Sequence, residues 1–146
     1  MAFRINMNST YKYILVLFVA ISLWQQTTAQ TQEYVIKAVF IERFARFIEW
    51  PITSKVSDTE KPFIIGVVGI NPFGSELEKL YKNQTIKNKS VIIIYILDYK
   101  QIERCDMIYI SKSEQTKVPL ILEYCQNKPI ITISDIEKSI EMGVHI

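Results

Sequence analysis

Four short, continuous apolar runs, separated by stretches with helical spacing, constrain this chain more than any other feature. They occupy 63–68 (FIIGVV), 91–97 (VIIIYIL), 107–110 (MIYI) and 129–133 (PIITI). A strand without polar alternation is covered on both faces, which is the mark of a parallel sheet. The segments between the runs read as helices. Asn71 stands as an N-cap with Pro72 at the first helical position of a helix over 72–81, whose inward residues are Leu77 and Leu80. A short helical turn follows over 98–104 and a helix over 118–125. Ser134-Asp135 then opens a last short helix ending near Gly143. Strand and helix in alternation predict an α/β fold, a small mostly parallel sheet with helices on both faces and right-handed connections.

An amphipathic helix over 33–49 precedes the sheet. Glu42, Arg46 and Glu49 share one face. Tyr34, Ala38, Ile41, Ala45 and Ile48 line another, and Ile36, Phe40, Phe44 and Phe47 widen it beyond half the circumference. Such a helix is packed on more than one side, or offers a leftover face to a partner. Trp50-Pro51 ends it, because the residue before proline avoids helical angles. Lys37 falls inside the apolar arc. Its charge has to snorkel outward, find a carboxylate, or meet a ligand or partner.

The first 29 residues have the pattern of a secretory signal peptide, with an uncleaved N-terminal anchor helix as the alternative. Arg4 and Lys12 precede an apolar run over 13–24, and no acidic residue occurs before Glu33. Twelve or so apolar residues fit a signal-peptide core and fall short of the roughly 20 that span a bilayer. Thr27 and Ala29 supply small residues for a cut before Gln30. The expected mature chain, 30–146, is one exported domain that works outside the cytoplasm. Without Arg4 and Lys12 the 17 basic side chains become 15, equal to the 15 acidic ones. That balance lacks the basic footprint of a nucleic-acid binder. The one histidine, His145, is the penultimate residue, so imidazole-assisted nucleophilic catalysis or a zinc site has little to build on. No cofactor motif stands out. The turn over 66–74 carries glycines between strand and helix, but neither the dinucleotide-binding spacing nor a Walker lysine is present.

Two further features invite roles. Asn71, Phe73, Ser111 and Asp135 fall at the carboxyl edge of the expected sheet, where doubly wound folds bind ligands, and form a candidate small-molecule crevice. Each has a plainer alternative as a turn, cap or core residue. Cys105 precedes the third strand, and Cys125 ends the antiparallel helix after it, so the two return to one level. In an exported protein either a disulfide or two separate buried thiols satisfies this placement. A bridge would close a loop of about 20 residues and contribute about 3 kcal/mol.

The order of these motifs resembles the YfiR/HmsC-like family of periplasmic proteins. The resemblance rests on the leader, on 34–40 (YVIKAVF) running through Phe44 and Phe47 to Trp50-Pro51, and on 63–74 (FIIGVVGINPFG) with Leu77. It continues through Cys105-Asp106, Ser111, 129–135 (PIITISD) and Gly143. It implies a small α/β periplasmic domain without enzymatic activity. It further implies a regulatory binding protein that represses an inner-membrane sensor, a diguanylate cyclase in the best-understood case, and so controls cyclic di-GMP and biofilm formation. Carried over residue by residue, the partner contacts implied are Lys37, Phe40, Phe44 and Trp50. Family members usually continue past the point where this chain stops, and can carry more cysteines, so a C-terminal truncation is left open. The sequence also leaves open a homodimer and, as an alternative function, an envelope protein that binds a small ligand.

Overall fold

The computed structural model describes residues 9–52 and 54–146, without the side chains of 9, 10 and 19–31. Arg4 of the expected leader lies outside the described residues, as do the side chains of Thr27, Ala29 and Gln30 at the expected cut. A long helix α1, Ser9–Phe47, leads into the domain. Its last turn stops just before Trp50-Pro51, as the proline requires. The strands are β1 (Phe63–Val68), β2 (Val91–Ile96), β3 (Met107–Ile110) and β4 (Ile131–Ser134). All pair in parallel, in the order β2-β1-β3-β4, with Val67 opposite both Tyr95 and Tyr109 and Tyr109 opposite Ile133. The α/β class with a parallel sheet is therefore what the apolar runs foretold.

Period-two alternation divides the strand side chains between two cores. Phe63, Ile65, Val67, Met107, Tyr109 and Ile133 face one side, beneath Tyr34, Ala38, Ile41 and Ala45 of α1 and Leu77 and Tyr81 of the helix α2 (Glu76–Tyr81). Val68, Ile96, Ile108 and Ile110 face the other, beneath Val118, Ile121 and Cys125 of α3 (Val118–Cys125), Ile102 and Val144. Both faces are apolar and, away from the edge strand β2 where Ile92 and Tyr95 stay exposed, both are covered, which is why the runs of β1 and β3 show no polar residue in alternate positions.

Four local expectations shift; the last helix, for one, is only a 3-10 turn over Ile140–Met142, and neither Ser134 nor Asp135 caps it. The α2 helix starts at Glu76, four residues after Pro72, because Asn71 does not cap it. Instead Asn71 Oδ1 accepts the Phe73 amide and Asn71 Nδ2 donates to the Gly74 carbonyl, making a tight turn. The fourth strand begins at Ile131, two residues after Pro129. Glu42 is not on a solvated face. It is buried where α2 lies against α1, and its carboxylate is held by Arg46 Nε at 2.7 Å.

The 98–104 turn is a 3-10 helix over Tyr99–Arg104 with a capping box, Asp98 accepting from Lys100 and Gln101 reaching back to the Asp98 amide. At the amino edge of the sheet, the wholly buried Lys89 donates to the carbonyls of Lys55, Val56 and Asp58 and pins the loop after α1. The last residue pairs beside β4: Ile146 donates to the Thr132 carbonyl and accepts from the Ser134 amide.

Candidate functional site

Helix α1 has two faces with different fates, and the candidate site is built on that division. The inner face carries small or slender residues at helical spacing. Ala38 and Ala45 are 2 % and 0 % exposed and let the helix backbone come close to the sheet, while Ile41 fills the gap between them. Lys37, next to Ala38, and Tyr34, one turn before it, reach the carboxyl edge. Asp135, just past the end of β4, gathers them. Its Oδ1 accepts from Tyr109 Oη of β3 at 2.7 Å, and its Oδ2 accepts from Lys37 Nζ and, at 3.4 Å, from Tyr34 Oη. Lys112 Nζ lies 3.5 Å from the same oxygen. Lys37 also pairs with Glu33 and sits 4.5 Å above the Tyr34 ring.

The electrostatics of this cluster are those of a latch. Burial pushes the Asp135 carboxyl upward, but hydrogen bonds from Lys37 and Tyr109, with the charges of Lys37 and Lys112, outweigh burial and hold it below its ordinary value. Burial likewise opposes the Lys37 charge, and the hydrogen bonds of Asp135 and Glu33 overcome it, so the ammonium is held above its ordinary value. The Tyr109 phenol is raised by burial and by the carboxylate it donates to. The three fates open to Lys37 thus resolve in favour of a carboxylate, 98 residues away in sequence.

Of the proposed crevice residues, Phe73 and Asp135 come together around this latch. The Phe73 ring stands edge-on to Tyr34 (5.5 Å) and to Tyr109 (4.7 Å) and is buried in the core. Asn71 is occupied by its turn and by Tyr95 Oη at 3.1 Å. Ser111 is buried behind the edge, its amide on the Val68 carbonyl and its hydroxyl accepting from Ser113. Between β1 and β3, where the strand order reverses and ligands usually bind, the chain's own side chains fill the space. Gly69 has φ +91°, and a Cβ there would come within 2.4 Å of Ser113 Oγ, which accepts the Ile70 amide at 2.9 Å. Only glycine fits that turn.

The outer face of α1 is different. Ile36, Phe40 and Phe47 are 57 %, 56 % and 72 % exposed, Val39 and Arg43 are exposed between them, and Ile52, past the helix end, is exposed as well. Of the four implied partner contacts, Phe40 lies in this stripe. Phe44 is half-buried and stacks on Phe40 at 6.2 Å. Trp50 is half-buried and packs edge-on to Phe63 at 5.5 Å, and Lys37 is spent on the latch. Helical spacing alone named Ile36 and Phe47 as apolar, but could not say which part of the wide arc the sheet would cover.

Cys105 and Cys125 are free thiols, both buried in the core beneath α3. The structure thus holds the second of the two arrangements open to them. Cys105 Sγ points over Gly66, where a Cβ would stand only 2.7 Å from it, and toward the Gln101 carbonyl. Burial raises the two thiols to about 12 and about 11, which leaves them protonated and unreactive at neutral pH. The imidazole of His145 is spent on β4: its Nδ1 accepts the Thr132 amide at 3.1 Å. Among the described residues no helix is long and apolar enough to cross a membrane.

The family model YfiR/HmsC-like matches residues 34–146, and the chain belongs to that family. No curated protein and no solved structure matches it.

Proposed function

We propose that this member of the YfiR/HmsC-like family is a periplasmic regulator of cyclic di-GMP signalling, exported by a leader cleaved after Ala29 and without enzymatic activity of its own. It acts by laying the outer face of α1 against the periplasmic domain of an inner-membrane sensor, a diguanylate cyclase, and holding that sensor inactive. One observation carries this reading. A helix locked to the sheet by Asp135 on one side presents Ile36, Phe40 and Phe47 to solvent on the other. Contiguous exposed apolar surface on a small domain marks an interaction site, and aromatic anchors are the residue types that dominate such interfaces.

The family supports the compartment and the pathway, and the rigid seat of α1 supports the mode of binding. A preformed helical face binds without the cost of ordering a segment. The test is in cells. Deletion of the gene is expected to raise cyclic di-GMP, and the tagged protein is expected to co-purify from membranes with a cyclase. Unchanged cyclic di-GMP in the deletion strain would remove this reading.

A further inference from the structure

The amino edge of the sheet holds a second candidate site, unrelated to α1. Asp106, immediately before β3, is only 4 % exposed. Its backbone stitches three strands, donating to the Ile64 carbonyl and accepting from the Ile131 amide. Its carboxylate is half used: Oδ2 accepts the Ile64 amide at 2.8 Å, whereas Oδ1 has no hydrogen bond among the described residues and is not sealed off from solvent space. The nearest cations do not pair with it. Lys89 is saturated by three carbonyls, and Lys55 Nζ donates to the Glu103 carbonyl. A buried carboxylate without a counter-ion is costly, and such exceptions call for an explanation.

The explanation is next to it. A cavity of about 260 Å³ opens here, lined by Lys55, Glu103, Cys105, Asp106, Lys128 and Ile130. Lys128 is neutralised by Glu103 at 2.8 Å and caps the Tyr124 carbonyl. That leaves the Asp106 carboxylate as the buried acceptor and Lys55 as a cation with two spare donors, facing a pocket with Ile130 and the Cys105 thiol as apolar wall. The volume is below that of a pocket for drug-sized molecules, about 300–1,000 Å³.

We infer that this cavity binds a small zwitterion, an amino acid in the broad sense, with its ammonium on Asp106 and its acid group on Lys55. Charge and size both fit: the lining carries two cations and two anions, so a ligand of zero net charge leaves the balance unchanged. Burial raises the free Asp106 carboxyl, and an incoming ammonium supplies the partner it lacks.

The test is two-dimensional NMR of the protein as it accumulates in cells, titrated with a panel of α-, β- and γ-amino acids. Glycine betaine, which has no N–H, and acetate, which has no amine, serve as controls. At least one amino acid is expected to shift the amides of Ile64, Asp106 and Ile131 saturably, and neither control is. Asp106→Asn keeps an acceptor for the Ile64 amide and is expected to weaken binding by about tenfold or more. Lys55→Gln, at an exposed position, is expected to weaken it less. The inference is overturned if no amino acid moves those amides, if betaine or acetate binds as well, or if Asp106→Asn binds as tightly as the parent.

Discussion

The inner and outer faces of α1 are made of similar residues, apolar and aromatic, yet one is fixed and the other free. The inner face descends to alanine at 38 and 45, which brings the helix close enough for Tyr34 and Lys37 to reach Asp135. The outer face keeps large side chains, Ile36, Phe40 and Phe47, that touch little of the domain. Hydrophobicity therefore does not separate core from exposed surface in this helix. Side-chain size and the presence of a polar tether do.

That division is open to attack by substitution, starting with the strongest blow. Ala45→Glu puts a charge where nothing is exposed and no partner waits, and is expected to cost more than about 3 kcal/mol, enough to unfold much of the population. Urea unfolding followed by circular dichroism reads it. Asp135→Ala removes the tether and leaves Lys37 with Glu33 alone, for an expected loss of about 2 kcal/mol. Tyr109→Phe deletes one donor to the same carboxylate and should cost about 1 kcal/mol. Phe40→Ser, on the outer face, is expected to change stability by less than about 0.5 kcal/mol. A large loss there would mean that the outer face is core after all.

The tether also carries a pH signature. The folded Asp135 carboxyl lies below its ordinary value of 3.8, so its contribution is complete above that value and drains away as pH falls through the folded one. Lys37 is held above 10.5, so its contribution is complete below that value and is lost only as pH rises past the folded one. Stability against urea should therefore be level across neutral pH and fall in acid, and Asp135→Asn should flatten the acid limb. An acid limb unchanged in that variant would show that other carboxylates govern it.

The sheet was legible in the sequence because each strand is an unbroken apolar run between breakers, and such runs have few other uses. Met107–Ile110 and Val118–Cys125 are placed to the residue. The start of α2 was not, because Asn71-Pro72 satisfies the rule for a helix opening while the asparagine side chain forms a turn of its own. Glu42 was misplaced because periodicity knows one helix at a time, and it is the neighbour α2 that buries it. The partner of Lys37 was out of reach for a similar reason: a pairing across 98 residues exists only once β4 has been laid beside β3. Family resemblance named residues on and beside α1, Phe40 among them, but which face of that helix the sheet leaves exposed needed the fold.

The most direct measurement is cyclic di-GMP in cells carrying Phe40→Glu in place of the parent protein. Protein abundance and melting temperature are expected to stay at parental values while cyclic di-GMP climbs to the level of the deletion strain. Parental cyclic di-GMP with an intact, abundant Phe40→Glu protein would contradict the assignment of that face to the sensor.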